Sequence, residues 1–441
     1  MRGWTTIITL VVIFAFAIEF RPLDYFMTSY LVRSQGVDVT DIKATNELMR
    51  FEDYFNILAV SVIMMITDNL LYKPVMLFNV FCGIIAYSNL VILPNCIQLK
   101  LVELCMAFFK SYEVVYFSYL FARVQDKRYY QATSGLARTA MLMGKCGSLV
   151  FAQVLVIIYG KDYVKELPCY TLGSVVFAFV WASFLSSVKR NSYNNDDVTM
   201  PIAEFISDNN NEQHNLKKKS LQSKSSATES ISKKLWRDFN ESYKNLIVLK
   251  WSIWYCLALV GYMTIKISNV THKLGENERA NGIVESLAVF VGAISSYKIG
   301  VKRVNWELNG NAFIGSGSSI LGICVLSCYF HQNMLSIQLS YILFGALIQA
   351  MFVTSLSEIA KQLKNKSYAL VLGFNSFISL ILLLCYKEMF IRGNLFKIDV
   401  PEQVLFYGGL YIFLGTIYLI PCVISFNKRL NNSCPVYDIN E

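Results

Sequence analysis

The chain has 441 residues, of which 54% are hydrophobic and 16% charged, with a formal net charge of +9. Soluble domains carry about 25% charged residues. The shortfall here lies in long uncharged runs such as 4–18, 55–66, 75–93, 148–159 and 368–386, which excludes an ordinary soluble enzyme or binding module.

A helix needs about 20 mostly apolar residues to cross a bilayer, so the chain has room for about twelve crossings. The predicted spans, in chain order, are 4–29, 52–68, 74–94, 99–123, 133–159 and 168–188, then 247–271, 281–299, 310–330, 335–358, 367–389 and 403–426. The first run follows Arg2 as a signal peptide would. No small-residue cleavage site comes after it, and it leads into Glu19, Arg21, Pro22 and Asp24, so it reads as the first membrane helix. Alternate connections are basic: Lys73; Arg123, Lys127, Arg128 and Arg138; Lys298, Lys302 and Arg303; Lys361, Lys364 and Lys366. The positive-inside rule places these in the cytoplasm with both termini, and the 30–51 connection outside. The net positive charge is accounted for by this placement and does not imply nucleic-acid binding.

Residues 189–246 differ from the rest. They hold Asn194-Asn195-Asp196-Asp197, the lysine run 217–219 and a Ser/Lys-rich tract to Lys234. So little apolar surface does not offset the entropy of ordering, and the stretch is predicted to be largely disordered. It splits the chain into an N-terminal six-helix half, 1–188, and a C-terminal half, 247–430, with a tail at 431–441. This 6+6 layout with a long linker is that of major-facilitator transporters. No nucleotide loop, H-E-x-x-H or G-x-S-x-G occurs, so neither ATP-driven transport nor an enzyme is indicated. Gly315-Ser316-Gly317 lies in an apolar run and reads as close helix packing. The eleven cysteines have no metal-like spacing, and no cofactor or metal is expected.

Four groups of motifs resemble the reduced folate carrier and thiamine transporter family. Arg21-Pro22-Leu23-Asp24-Tyr25-Phe26 with Tyr30-Leu31 is similar to the end of the family's first helix. Thr67-Asp68-Asn69-Leu70-Leu71-Tyr72-Lys73-Pro74-Val75 is close to its loop between helices two and three. Val102-Glu103, Tyr116-Phe117-Ser118-Tyr119 and Tyr130-Gln131 with Ser134-Gly135 and Arg138 resemble its fourth helix and the loop after it. Asn281-Gly282-Ile283-Val284-Glu285 and Tyr368-Ala369-Leu370-Val371-Leu372-Gly373-Phe374-Asn375 match in the second half. The resemblance implies an all-α membrane protein of the major-facilitator type, multi-pass in the plasma membrane. It would carry a water-soluble vitamin by alternating access, with the lipid bilayer as its surroundings and an exchanged or co-transported ion left open.

Glu113 lies near the middle of the fourth span. Folate carriers have Arg at the equivalent position and thiamine transporters Glu. A charge at a helix centre costs about 2.5–3.5 kcal/mol on insertion scales, so it faces a cavity or a partner. Phe109, Tyr112, Glu113 and Tyr116 are spaced to share one helix face. A carboxylate beside aromatic rings suits an aminopyrimidine and a flat cation. Lys110, one turn before Glu113, offers the alternative of a structural pair. Asp24 either faces the cavity or pairs with Arg21. Asn281 matches a substrate-facing Asn of thiamine transporters. Glu285 is read as a helix-pairing or gating residue, Asp68 as a structural lock between the halves, and Asn375 as structural.

Where folate carriers have basic residues on the tenth and eleventh spans, this chain has Gly345 and Leu383. Each missing charge is worth about 1–3 kcal/mol as a charge-assisted contact. The chain also departs from the thiamine pattern: an expected aromatic aligns with Glu52, and Lys266 lies inside a span. The reading is therefore a carrier of thiamine or a related organic cation. Its rivals are a folate-like carrier using Lys110 and Lys266, and a non-transporting sensor on the same fold.

Overall fold

Fifteen α-helices and no strand make up the described residues of a computed structural model of the chain. These are residues 2–35, 42–92, 96–124, 126–188, 231–268, 278–302, 304–330, 333–363, 366–392 and 400–433. The first half comprises α1 (Arg2–Glu19), α2 (Leu23–Gln35), α3 (Ile42–Ile66), α4 (Lys73–Ile92), α5 (Cys96–Lys110), α6 (Tyr112–Arg123), α7 (Tyr130–Tyr159) and α8 (Leu167–Ser183). After α9 (Ile231–Tyr243) come α10 (Leu246–Ser268), α11 (Glu278–Val301), α12 (Trp306–Phe330), α13 (Met334–Gln362), α14 (Tyr368–Tyr386) and α15 (Val400–Ser433). Among the described residues, nine helical segments are long and apolar enough to cross a membrane. The other three predicted crossings fall on α1 with α2, on α3, and on α5 with α6, which are interrupted or carry charge. Large apolar side chains such as Ile157, Phe184, Ile323 and Phe413 face outward, as lipid contact requires.

Two of the predicted spans are broken. The first bends at Pro22, which has no N–H to donate; the next free amide, Leu23 N, donates to Thr171 Oγ1 at 3.1 Å. The fourth, predicted as one helix over 99–123, divides at Ser111. Ser111 Oγ donates back to Ala107 O (2.9 Å), a bond that competes with the helix ladder. In the amide orientation that satisfies its neighbours, Asn79 of α4 accepts the Tyr112 N–H at 3.2 Å.

The halves meet where α7 packs along α11 and α3 along α14. A Cβ on Gly135 would lie 2.6 Å from Gly300 Cα, so α7 and α11 approach as closely as glycine permits. Gly315 and Gly317 have the packing role read from the sequence: a Cβ there would meet Leu419 at 2.6 Å and Met351 at 2.7 Å.

The end of the bundle nearest the linker is latched across the halves. α3 ends at Ile66, so Asp68 lies in the turn beyond it. Its carboxylate oxygens accept the Ala369 and Leu370 backbone N–H groups at 3.1 and 2.9 Å, capping the start of α14 from the other half. Burial pushes the Asp68 carboxyl up to about 6, against the pull of those two N–H groups. Tyr72 Oη donates to Lys366 O (3.1 Å), and Leu71, Tyr72 and Lys366 all hold left-handed φ (59°, 66° and 53°) across this contact. Lys127 Nζ donates to Lys361 O and Leu363 O (2.7 and 3.0 Å), and the Tyr130 and Tyr368 hydroxyls meet at 2.7 Å. Gln131 donates to Ile299 O (2.6 Å) and accepts from Trp306 Nε1 (2.8 Å).

One stretch corrects the sequence reading. Residues 231–243, assigned to the disordered linker, form α9. Leu235, Phe239 and Tyr243 recur every four residues and give one apolar face, which the low average hydrophobicity of the stretch conceals. Phe239 packs edge-on against Phe374 at 4.8 Å, and Tyr243 Oη donates to Asn375 Oδ1 at 2.7 Å. Residues 189–230 lie outside the described residues.

Candidate functional site: a charge-balanced central cavity

A cavity of about 440 Å³ lies between the halves, lined from α1, α2, α3, α5, α6 and α7 on one side and α10, α13 and α14 on the other. Its aromatic lining is Tyr112, Phe117, Tyr255 and Tyr262. Five acidic side chains face it, Glu19, Asp24, Glu52, Asp53 and Glu113. Five basic ones do as well, Arg21, Lys110, Arg138, Lys145 and Lys387, so the formal charge of the lining is balanced.

Most of these charges are paired with one another, as buried charges must be. Arg21 bridges Glu19 (2.9 Å) and Asp24 (3.2 Å) beside the Pro22 break. Tyr112 Oη donates to Glu19, and Tyr87 Oη donates to Asp24 at 2.6 Å. Arg138 Nη1 holds Glu113 at 2.5 Å. Arg138 Nε donates to Gln349 Oε1 (2.8 Å), whose amide nitrogen donates to the Tyr262 hydroxyl (3.2 Å). This polar chain runs from α6 through α7 to α13 and α10, crossing between the halves at the cavity. Lys110 pairs with Glu52 at 2.6 Å, and Lys387 with Asp53 at 2.6 Å. Lys387 opens a π-helical turn, Lys387–Arg392, that continues α14.

The residues singled out by sequence divide into two groups. Glu113, Tyr112 and Asp24 line the cavity, and Asp24 also pairs with Arg21. Phe109 and Tyr116 do not line it. Phe109 is fully buried against Tyr87 and under the Arg21 guanidinium, 5.3 Å from its ring centre. Tyr116 is fully buried against Phe14, its hydroxyl on Val11 O. Phe109 lies on α5 before the break at Ser111 and stacks on Tyr112 of α6 at 6.0 Å, whereas Tyr116 shares α6 with Tyr112 and Glu113 but packs inward. Lys110, at the end of α5, meets Glu52 and not Glu113. Asn281 lies on α11, with its side chain outside the described residues, as is that of Lys266. Glu285 accepts the Tyr341 hydroxyl on α13, away from the cavity lining. Asn375 bridges Tyr243 and Ser252 (2.7 and 3.0 Å), a packing role.

Sequence reasoning missed Arg138, Lys145, Lys387, Glu19 and Asp53. Arg138 was counted among the loop cations, yet it lies two turns inside α7 with its side chain 11% exposed. A charge within a predicted span was the available signal.

The reduced folate carrier family matches residues 2–406. The chain belongs to the reduced folate carrier family. It is 24% identical over 437 residues to Folate transporter 1 of Caenorhabditis elegans, covering 98% of this chain and 95% of that one. It is equally 24% identical over 470 residues to Thiamine transporter 2 of Mus musculus, covering 100% and 95%. The mouse reduced folate transporter is 23% identical over 420 residues, covering 94% and 81%. Among solved structures, the human organic anion transporter MFSD10 superposes with a TM-score of 0.63 at 11% identity, covering 94% of this chain and 98% of the other. A bacterial homologue of the iron transporter ferroportin gives 0.59 at 12% identity. The fold is that of the major-facilitator transporters, and this member of the family is an integral, multi-pass membrane protein.

Proposed function

We propose that the chain carries a water-soluble vitamin of the folate/thiamine class across a membrane by alternating access, with thiamine or a related organic cation as its substrate. Relatives at about equal similarity are named for folate and for thiamine, so the choice rests on the cavity. The observation that carries it is the balanced lining: five basic groups are matched by five acidic ones, leaving no positive excess to hold a dianion. Glu113 is 38% exposed beside Tyr112 and Phe117, which gives a cation a carboxylate and ring faces. With the basic connections in the cytoplasm, the latched end faces inward and the cavity serves the outer side. On this reading the membrane is the plasma membrane.

A folate-like carrier is the second reading, favoured by Arg21, Lys110, Arg138, Lys145 and Lys387 around the cavity. Labelled thiamine and folate offered side by side to cells expressing the protein separate the two. Accumulation of thiamine over folate supports the first, the reverse supports the second, and binding without accumulation would make the protein a sensor.

A further inference from the structure

Glu52 stands where the thiamine pattern leads one to expect an aromatic ring, and its partner is Lys110 at 2.6 Å. Next to Glu52 on α3, Asp53 holds Lys387 at the same distance. Two carboxylates from one helix therefore face two ammonium groups, one from the end of α5 and one from the π turn after α14, all four on the cavity. The Lys110–Glu52 pair is the more open, with side chains 42% and 38% exposed; Lys387 and Asp53 are 15% and 10% exposed. Of the other charges, Glu19 is further tied to the protein by Tyr112, Asp24 by Tyr87 and Arg138 by Gln349.

A substrate that enters such a lining must replace ion pairs it disrupts. A simple cation that takes Glu52 leaves Lys110 without a counter-charge, and a dianion that takes both lysines strands both carboxylates; each outcome leaves unpaired charge in a poorly solvated site. A molecule with one charge of each sign exchanges pair for pair. We infer that the cavity selects a net-neutral substrate carrying both a cationic and an anionic group, with Glu52 and Asp53 joining Glu113 in receiving the cation and Lys110 and Lys387 receiving the anion. Within the organic-cation reading above, on which this rests, the substrate is a cationic heteroaromatic bearing a carboxylate arm. The Lys110–Glu52 pair is the specificity-determining element, because it is the more accessible and stands where an aromatic ring was expected.

The test compares uptake of three labelled probes by the full-length protein in cells: thiamine, its analogue with the hydroxyethyl arm oxidised to a carboxymethyl group (net neutral at pH 7), and folate. The wild-type protein takes up the carboxylate analogue about tenfold more efficiently than thiamine, the scale of one charge-assisted contact. The double variant Lys110→Met with Glu52→Phe removes both ends of the pair and leaves no lone charge; in it thiamine overtakes the analogue. Wild-type uptake of thiamine equal to or above that of the analogue overturns the inference while leaving the carrier reading intact. So does a double variant, well expressed, with an unchanged ratio. If the double variant is poorly expressed, the wild-type ratio decides alone. Preference for folate overturns the organic-cation reading and the inference together, and no accumulation of any probe overturns the carrier reading as well.

Discussion

Glu113 on α6 and Arg138 on α7 form an ion pair at 2.5 Å on the cavity wall, with the carboxylate side chain the more exposed of the two (38% against 11%). Glu113 is therefore neither a free anion nor the partner of Lys110. Arg138 holds one carboxylate oxygen and is itself steadied by Gln349 from the other half, so a substrate bound at Glu113 would be coupled to the packing of the halves.

Glu113→Gln retains an acceptor for Arg138 but removes the charge. Thiamine uptake should fall by about one to two powers of ten, the equivalent of a charge-assisted contact of roughly 1.5–3 kcal/mol, with surface expression little changed. Glu113→Arg sets two guanidinium groups together and should abolish uptake. Arg138→Met strands the carboxylate and should lower expression, and adding Glu113→Gln to it should restore expression without uptake. Surface labelling alongside uptake reads all four variants.

Lys110→Met should act through Glu52. In detergent, a double-mutant cycle of Lys110→Met and Glu52→Gln should show a coupling of about 0.5–1 kcal/mol, the range for a half-exposed pair. The corresponding cycle of Lys110 with Glu113 should be additive. Thermal unfolding measures both, and coupling to Glu113 would mean the helix does not break at Ser111.

The latch at the linker end gives a conformational prediction. Asp68→Ala removes the cap on α14 and should weaken the latched state by about 1 kcal/mol, a roughly fivefold shift in population. Labelling of a single cysteine introduced at that end would report it. Asp68 also makes the latch pH-sensitive. Its carboxyl is raised to about 6 when buried, above its ordinary value when the latch is parted and the group meets water. The latched state then holds the proton more tightly, its advantage is complete below the ordinary value, and it is lost as pH rises through about 6. Acidification from pH 7 to 5 should protect the cysteine, and Asp68→Asn should remove that dependence.

Topology and linker are tested together. Tags at 217–219 should be inaccessible on intact cells and tags within 30–51 accessible. Deleting 200–230 should leave the protein in the membrane, since shortening a linker changes closure entropy only slowly. Deletion of 231–243 should not be tolerated as well, and Phe239→Ala should cost about 1 kcal/mol, half of a full side-chain burial.

The fold was legible because its dominant signal is linear. Twelve apolar runs, an alternation of basic connections and a polar stretch in the middle need no knowledge of packing. The site was legible only in part. Glu113 and Asp24 stand out as charges within or at the end of apolar runs, and both line the cavity. Helical spacing carries Phe109 through Ser111, where a back-bonded hydroxyl and the Asn79 amide interrupt the ladder, and it cannot show that Tyr116, on the same helix as Glu113, turns toward Phe14 and Val11 of α1. Pairing is the other blind spot. Lys110 with Glu52 joins residues 58 apart in sequence, and Lys387 with Asp53 joins residues 334 apart, so neither partner is visible along the chain. The linker reading missed α9 because an average over a polar stretch hides a single apolar face of thirteen residues.

The cavity is proposed to carry an organic cation of the thiamine class and not a folate dianion. The decisive experiment offers labelled thiamine, its carboxylate analogue and folate at equal concentration to the purified protein reconstituted in vesicles. The account predicts time-dependent accumulation of thiamine or its carboxylate analogue, lost in Glu113→Arg, and folate uptake no greater than in empty vesicles. Folate accumulating in preference to both, and persisting in Glu113→Arg, would contradict it.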